Sequence, residues 1–290
     1  MSAADTVSTV DGGADWAPRR RVGTRFLRSE MGLIARRRRN QAALAVLAAI
    51  PIIIAIVIAA TRPAPGSGPP LFAAMLDNGL ITVLAGLSIE LGLFLPLAVS
   101  VLAGDAIAGE ANTGTLRYLL TVPAGRVRLL AVKFGGVVVA TFVTVGVVAL
   151  TGGIMGIALF GTGDMVTLSG TTLPFGEALG RVALAVVYIV LCLVAVAAIG
   201  LFVSTLTEQP IGAAVAMLMF IILSQILGAF SDLDWLHPFL ITNYWSAWGD
   251  LLRDPPAYDQ MLLGLLSAGA WTAFGLSAAW ARLTTKDITS

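Results

Sequence analysis

Six stretches of this chain are each long and apolar enough to cross a lipid bilayer as a helix: residues 42–60, 79–103, 134–160, 182–203, 211–230 and 261–281. A hydrocarbon core about 30 Å thick takes roughly 20 apolar residues at 1.5 Å per residue. Five of the six contain no Asp, Glu, Lys or Arg, and the second contains only Glu90. In hydrocarbon every backbone N–H and C=O needs a partner within the protein, and a helix supplies it within the segment. The expected fold is therefore all-α, a polytopic membrane protein with six spans. The balance of the chain agrees: 12% of residues are charged, against about 25% in soluble domains.

Basic residues set the expected orientation. With the N-terminus in the cytoplasm, the inner segments 1–41, 104–133, 204–210 and 282–290 hold 15 Lys and Arg, and the outer ones hold only Arg62, Arg181 and Arg253. Both termini are expected to be cytoplasmic. The first twenty residues have no apolar stretch, so no cleaved signal peptide is expected. The outer loops carry eight carboxylates, among them Asp232, Asp234, Asp250, Asp254 and Asp259.

Several kinds of chemistry are excluded. The sequence has no Gly-Lys pair, so it holds no P-loop to cradle ATP phosphates. One histidine, His237, rules out H-E-x-x-H zinc chemistry, and the lone Cys192 rules out an internal disulfide and a Cys-based metal site. A net charge of +1 argues against nucleic acid as a partner; Arg36–Arg39, abutting the first span, read as a topology signal assisted by anionic lipid. No catalytic residue, metal or cofactor of the chain's own is expected.

Around the spans, local patterns add detail. Phe26, Leu27, Met31 and Ile34 recur at helical spacing with arginines between them, which predicts an amphipathic helix over about 24–38 on the inner leaflet. Pro96 is expected to kink the second span. Gly152 and Gly156 in the third span, and Gly269, Ala273, Ser277 and Ala281 in the sixth, form small-residue stripes suited to close helix packing or a dimer interface. The outer segment 231–259 is rich in aromatics. Ile241, Trp245, Trp248 and Leu252 share one helical face, as in an interfacial helix, a re-entrant turn or an aromatic belt.

Glu90 is the one charge within a span. At the centre of a lone helix a charge costs roughly 2.5–3.5 kcal/mol on insertion scales, so it is expected to face a cavity, carry a proton or pair. Arg181 is the base placed to meet it. Glu90 and Arg181, with Tyr244, Trp245 and Trp248 beyond them, are candidates for a substrate pathway or gate, or for a clamp between helices.

The inner segment 104–133 is polar, punctuated by glycine and carries four basic residues between two apolar spans. Thr113 or Thr115 can cap a short helix there, with Leu116, Leu119 and Leu120 as its apolar face and Pro123 as its end. Glu110 and Arg117 offer charges that can pair across an interface. Asp105-Ala106-Ile107-Ala108-Gly109-Glu110, Gly114-Thr115-Leu116-Arg117, Leu119-Leu120, Pro123, Arg126 and Lys133 resemble the first cytoplasmic loop of ABC transporter permeases of the type-2 membrane family. Ser29-Glu30 before the first span, the six spans, and Arg282 with Lys286-Asp287 at the end extend the likeness over nearly the whole chain.

That resemblance implies a permease subunit of an ATP-binding-cassette exporter in the plasma (inner) membrane of a prokaryote. It would pair with a second permease, identical or paralogous. Two copies of a separate ATPase subunit would hold the ATP and Mg. A coupling helix in the loop would seat in the ATPase, with contacts at Glu110, Thr113, Gly114, Thr115, Leu116, Arg117 and Tyr118. Two alternatives stand beside it: a nucleotide-independent secondary transporter or channel, and a membrane scaffold or assembly protein.

Overall fold

The computed structural model describes residues 31–63, 70–112, 114 and 126–285. Its helices are α1 (Arg38–Thr61), α2 (Pro70–Ala74), α3 (Ile81–Leu91), α4 (Phe94–Asn112), α5 (Arg126–Phe160), α6 (Phe175–Leu206), α7 (Pro210–Gly228) and α8 (Asp259–Thr285). Residues 31–36 are also helical and are separated from α1 by an extended Arg37. Among the described residues the only strands are β1 (Met165–Val166) and β2 (Thr172–Leu173), an antiparallel hairpin with Met165 opposite Leu173. The all-α expectation holds: α1, α4, α5, α6, α7 and α8 are each long and apolar enough to cross a membrane. This is the architecture of a multi-pass membrane protein.

Helices α1, α6 and α8 outrun their apolar windows at both ends, and α5 at its start, because hydropathy marks the hydrocarbon and not the helix ends. α5 is the extreme case, with 35 residues beginning at Arg126. At 1.5 Å per residue it is about 52 Å long, against a core of about 30 Å. The same effect shortens the inner loop. Asp105–Glu110 are not loop but the last turns of α4, and only residues 113–125 separate α4 from α5.

α6 is the centre of the bundle. Two-thirds of its apolar window is buried (67%), against 22% for α1 and for α8, which lie at the periphery. α8, α4, α5 and α7 all pack on α6, and α4 also runs along α7. α1, α3 and α5 form a second group.

The window 79–103 is not one kinked helix. It is two, α3 and α4, parted at Gly92 and Leu93. α3 has 11 residues, about 16 Å, too short to span alone. Pro96 is the cause, but the break lies a turn before it. Proline lacks the N–H that the carbonyl of residue i−4 would receive, and its ring crowds that carbonyl. The helix therefore yields at Gly92 and restarts at Phe94, which leaves Pro96 in a first turn, where a missing donor costs little.

The small-residue stripes divide between two fates. Gly156 in α5 meets the backbone of Gly79 and the side chain of Thr82, and a Cβ at Gly156 would overlap both. The G-x-x-x-G pair is thus a seam within the chain, between α5 and the start of α3. In α8 the stripe Gly269, Ala273, Ser277 and Ala281 faces outward, while Gly264, Ala268, Gly275 and Ala279 are buried.

Candidate functional site

At the basic end of the bundle, the N-terminus of α1 and the facing ends of α4 and α5 are tied by charge. Asp105 of α4 pairs with Arg37, and its Oδ2 lies 3.3 Å from Arg39 Nη2. Gly109, one turn further along α4, leaves the space this carboxylate occupies: a Cβ there would sit 2.8 Å from Asp105 Oδ1. The spacing Asp-x-x-x-Gly thus has a physical reason within one helix, and Gly109 is helical rather than a turn. Three residues past Asn112's predecessor Ala111, Gly114 adopts φ 72° and donates its N–H to Ala111 O at 3.0 Å. That is a left-handed close to the helix, which glycine tolerates best.

Glu110 pairs with Lys133 of α5, and the Lys133 side chain is only 5% exposed. Within the chain, Glu110 clasps α4 to α5. Of the other predicted coupling positions, Thr113, Thr115, Leu116, Arg117 and Tyr118 lie outside the described residues, as do residues 24–30 of the predicted N-terminal amphipathic helix; its remainder is helical over 31–36 and interrupted at the extended Arg37.

Ser204 of α6 fastens the same stretch of α4 from the other side. Its Oγ donates to Gly104 O at 2.6 Å and accepts from the N–H of Ile107 and of Ala108 at 3.2 and 2.8 Å. The buried hydroxyl thus bonds backbone groups of α4 and ties α6 to that helix.

In mid-bundle, Glu90 is fully buried at the end of α3, and neither carboxylate oxygen has a hydrogen-bond partner among the described residues. Two residues on, Gly92 O accepts from Gln225 Nε2 of α7 at 2.8 Å. Glu90 therefore sits beside a helix break whose exposed carbonyl has been given a donor, while its own side chain has none.

Arg181 does not meet Glu90. It lies at the far end, where Nη1 donates to Leu251 O at 3.1 Å and to Arg253 O at 2.6 Å, and Nη2 lies 3.7 Å from Asp254 Oδ1. The segment after α7 meets it there: that segment folds in part as three 3-10 turns, Ser231–Leu233, His237–Phe239 and Ala247–Leu252, whose ends offer free carbonyls. Tyr188 of α6 donates to Tyr244 O at 2.7 Å, which holds the same segment down. Ile241, Trp245, Trp248 and Leu252 are all buried, so the face that they share points inward. Trp248 and Leu252 line a cavity of about 670 Å³ with Asp77, Ile81, Met165 and Leu168. His237 is held at the surface by Phe230 O, 3.2 Å from Nε2, and lies beside Asp234.

Of the five pathway candidates, then, Arg181, Tyr244, Trp245 and Trp248 come together at the far end and Glu90 stands apart. Ser204 and Gln225 were not singled out from the sequence. Their signal was present: each is a polar residue within or bordering an apolar window. Among the described residues no cluster of three or more His, Cys, Asp or Glu is placed to hold a metal.

Residues 67–288 match the model of a family described as protein of unknown function (DUF2705). The chain belongs to this family. The matched part of the DUF2705 chain begins after α1, so it holds five of the six spans, Glu90 with its neighbouring break, and the Glu110–Lys133 clasp. The arginine-rich segment before α1 lies outside it. No curated protein matches the chain.

Proposed function

We propose that this DUF2705 protein is the membrane-spanning permease subunit of an ATP-binding-cassette exporter. A separate ATPase would supply the energy, and the cargo would be a drug, peptide or lipid-like molecule moved across or out of the bilayer. The observation that carries this reading is the Glu110–Lys133 pair. It joins the two helix ends that frame residues 113–125, the stretch with the Gly-Thr-Leu-Arg likeness to a coupling loop. A push on that stretch reaches α4 and α5 together, and through Asp105 it reaches Arg37 ahead of α1. Coupling of this kind needs two states of the bundle that the nucleotide-bound partner engages unequally.

The test is purification of the tagged chain in mild detergent from cells expressing the neighbouring reading frames. A P-loop ATPase should co-purify, and Leu116→Asp should abolish that association while the chain still inserts in the membrane. Association unchanged in Leu116→Asp would contradict the coupling role.

One observation favours a second reading. A buried carboxylate beside a broken helix is the arrangement that secondary transporters use at ion sites, and Glu90 beside Gly92 has it. Uphill transport by the purified chain alone, driven by an ion gradient and lost in Glu90→Gln, would select that reading over the first.

A further inference from the structure

A groove of about 470 Å³ opens between α1, α4 and α5 at the basic end. Leu44 and Leu47 of α1, Leu97 and Val101 of α4, and Val143 of α5 line it. It is open along one side: Val46, Phe94 and Val143 on its lips are all exposed. From Arg39 to Leu47 it follows α1 for about 12 Å, most of one leaflet of a core about 30 Å thick.

Its basic end is built, not frayed. Residues 31–36 fold back over it, and Met31 and Ile34 join the lining. Two side-chain amides latch that segment to α1: Asn40 Nδ2 donates to Ile34 O and Gln41 Nε2 to Ala35 O, each at 2.9 Å. Arg37 and Asp105 close the corner.

Charge is uneven there. Among the described residues, one carboxylate, Asp105, meets the run Arg36 to Arg39, and it pairs with Arg37 and Arg39. Arg36 and Arg38 are exposed, with no carboxylate in ion-pair distance among the described residues. An apolar trough most of one leaflet deep, with Arg39 on its lining and Arg36 and Arg38 exposed in the same run, is complementary to a molecule with an acyl chain and an anionic head.

We propose that this groove is a binding site for one anionic glycerophospholipid, with an acyl chain lying between α1, α4 and α5 and its phosphate held by Arg36, Arg38 and Arg39. This goes beyond a general attraction of basic residues to the membrane surface, because it assigns a particular lipid a particular seat. It does not depend on the exporter reading.

The test uses the full chain in phosphatidylcholine vesicles doped with a trace of phosphatidylglycerol or phosphatidylcholine, each carrying a photoactivatable acyl chain. Cross-linked peptides are then mapped by mass spectrometry. The phosphatidylglycerol probe should label the Leu97–Val101 and Leu44–Leu47 peptides roughly fivefold or more above the phosphatidylcholine probe. Arg36→Gln/Arg38→Gln, both surface changes, should bring it down to the phosphatidylcholine level. Ala98→Phe, which fills the trough, should lower labelling by both probes. Equal labelling by the two probes in the unaltered chain would reduce the groove to ordinary lipid-facing surface and overturn the proposal, as would labelling indifferent to the arginine changes. No labelling of these peptides by either probe would mean that the groove is closed to lipid and would overturn it too.

Discussion

The side-chain amide of Gln225 donates to the carbonyl of Gly92 at 2.8 Å, the acceptor that Pro96, four residues on, cannot serve. A break in a lipid-facing helix leaves a carbonyl with no water to turn to, and a residue of a different helix answers it. Gln225→Leu should therefore destabilise the bundle by roughly 1 kcal/mol, the scale of interhelical hydrogen bonds in membranes. In a Pro96→Ala background, where residue 96 regains an N–H, the same change should cost less. Unfolding of all four variants in mixed micelles gives the coupling between the two sites, and a coupling of zero would remove Gln225 from this role.

The Glu110–Lys133 clasp makes its own prediction. Lys133 is almost wholly buried, so Lys133→Met removes the cation that Glu110 grips and should cost about 3 kcal/mol. Lys133→Met/Glu110→Gln should recover much of that loss. Thermal unfolding in detergent separates the two outcomes. If the double variant is as unstable as the single one, the pair is not what holds these helix ends.

At the seam of α3 and α5, Gly156→Val forces a side chain into the Gly79 backbone, which cannot move aside. A loss of about 3 kcal/mol or more is expected, seen as failure of the chain to accumulate in the membrane. Gly269→Ala is the control: nothing lies within 4 Å of a Cβ there, and expression should be unchanged.

Arg181→Met should loosen the segment around Leu251 and Arg253, whose carbonyls it holds. Hydrogen exchange of residues 247–254 should rise by about tenfold, as expected when about 1.4 kcal/mol of local stability is lost. Glu90→Gln should leave that exchange unaltered, since the two residues do not meet, and should alter transport without disturbing assembly. Faster exchange at 247–254 in Glu90→Gln would revive the ion pair that the sequence invites one to draw.

Membrane class and span number were legible because six apolar windows tolerate few other readings. What escaped was set by partners distant in sequence. Pro96 announced a disruption, but its position depends on which carbonyl loses a donor, and the residue that repairs it lies more than a hundred positions away. Arg181 looked like a partner for Glu90 because both were lone charges near apolar stretches. It went instead to the free carbonyls of 3-10 turns that no periodicity reveals. The Gly152–Gly156 stripe was visible, yet a stripe does not say whether its partner is another copy or α3. Asp105 and Gly109 were visible as a motif; that one makes room for the other emerges only once both lie on a single helix.

The length of α5 has a mechanical consequence. Taking Lys133 as the pivot, where Glu110 grips it, the helix from Arg126 to Phe160 is a crank with arms of about 10 and 40 Å at 1.5 Å per residue. A stroke of one ångström on the short arm sweeps the opposite tip through about four, beside Gly161 and Gly163 where the loop is bonded to Gly79 and Asn78. On the exporter reading, gearing of that ratio would let a modest movement at one face of the membrane be felt, enlarged, at the other.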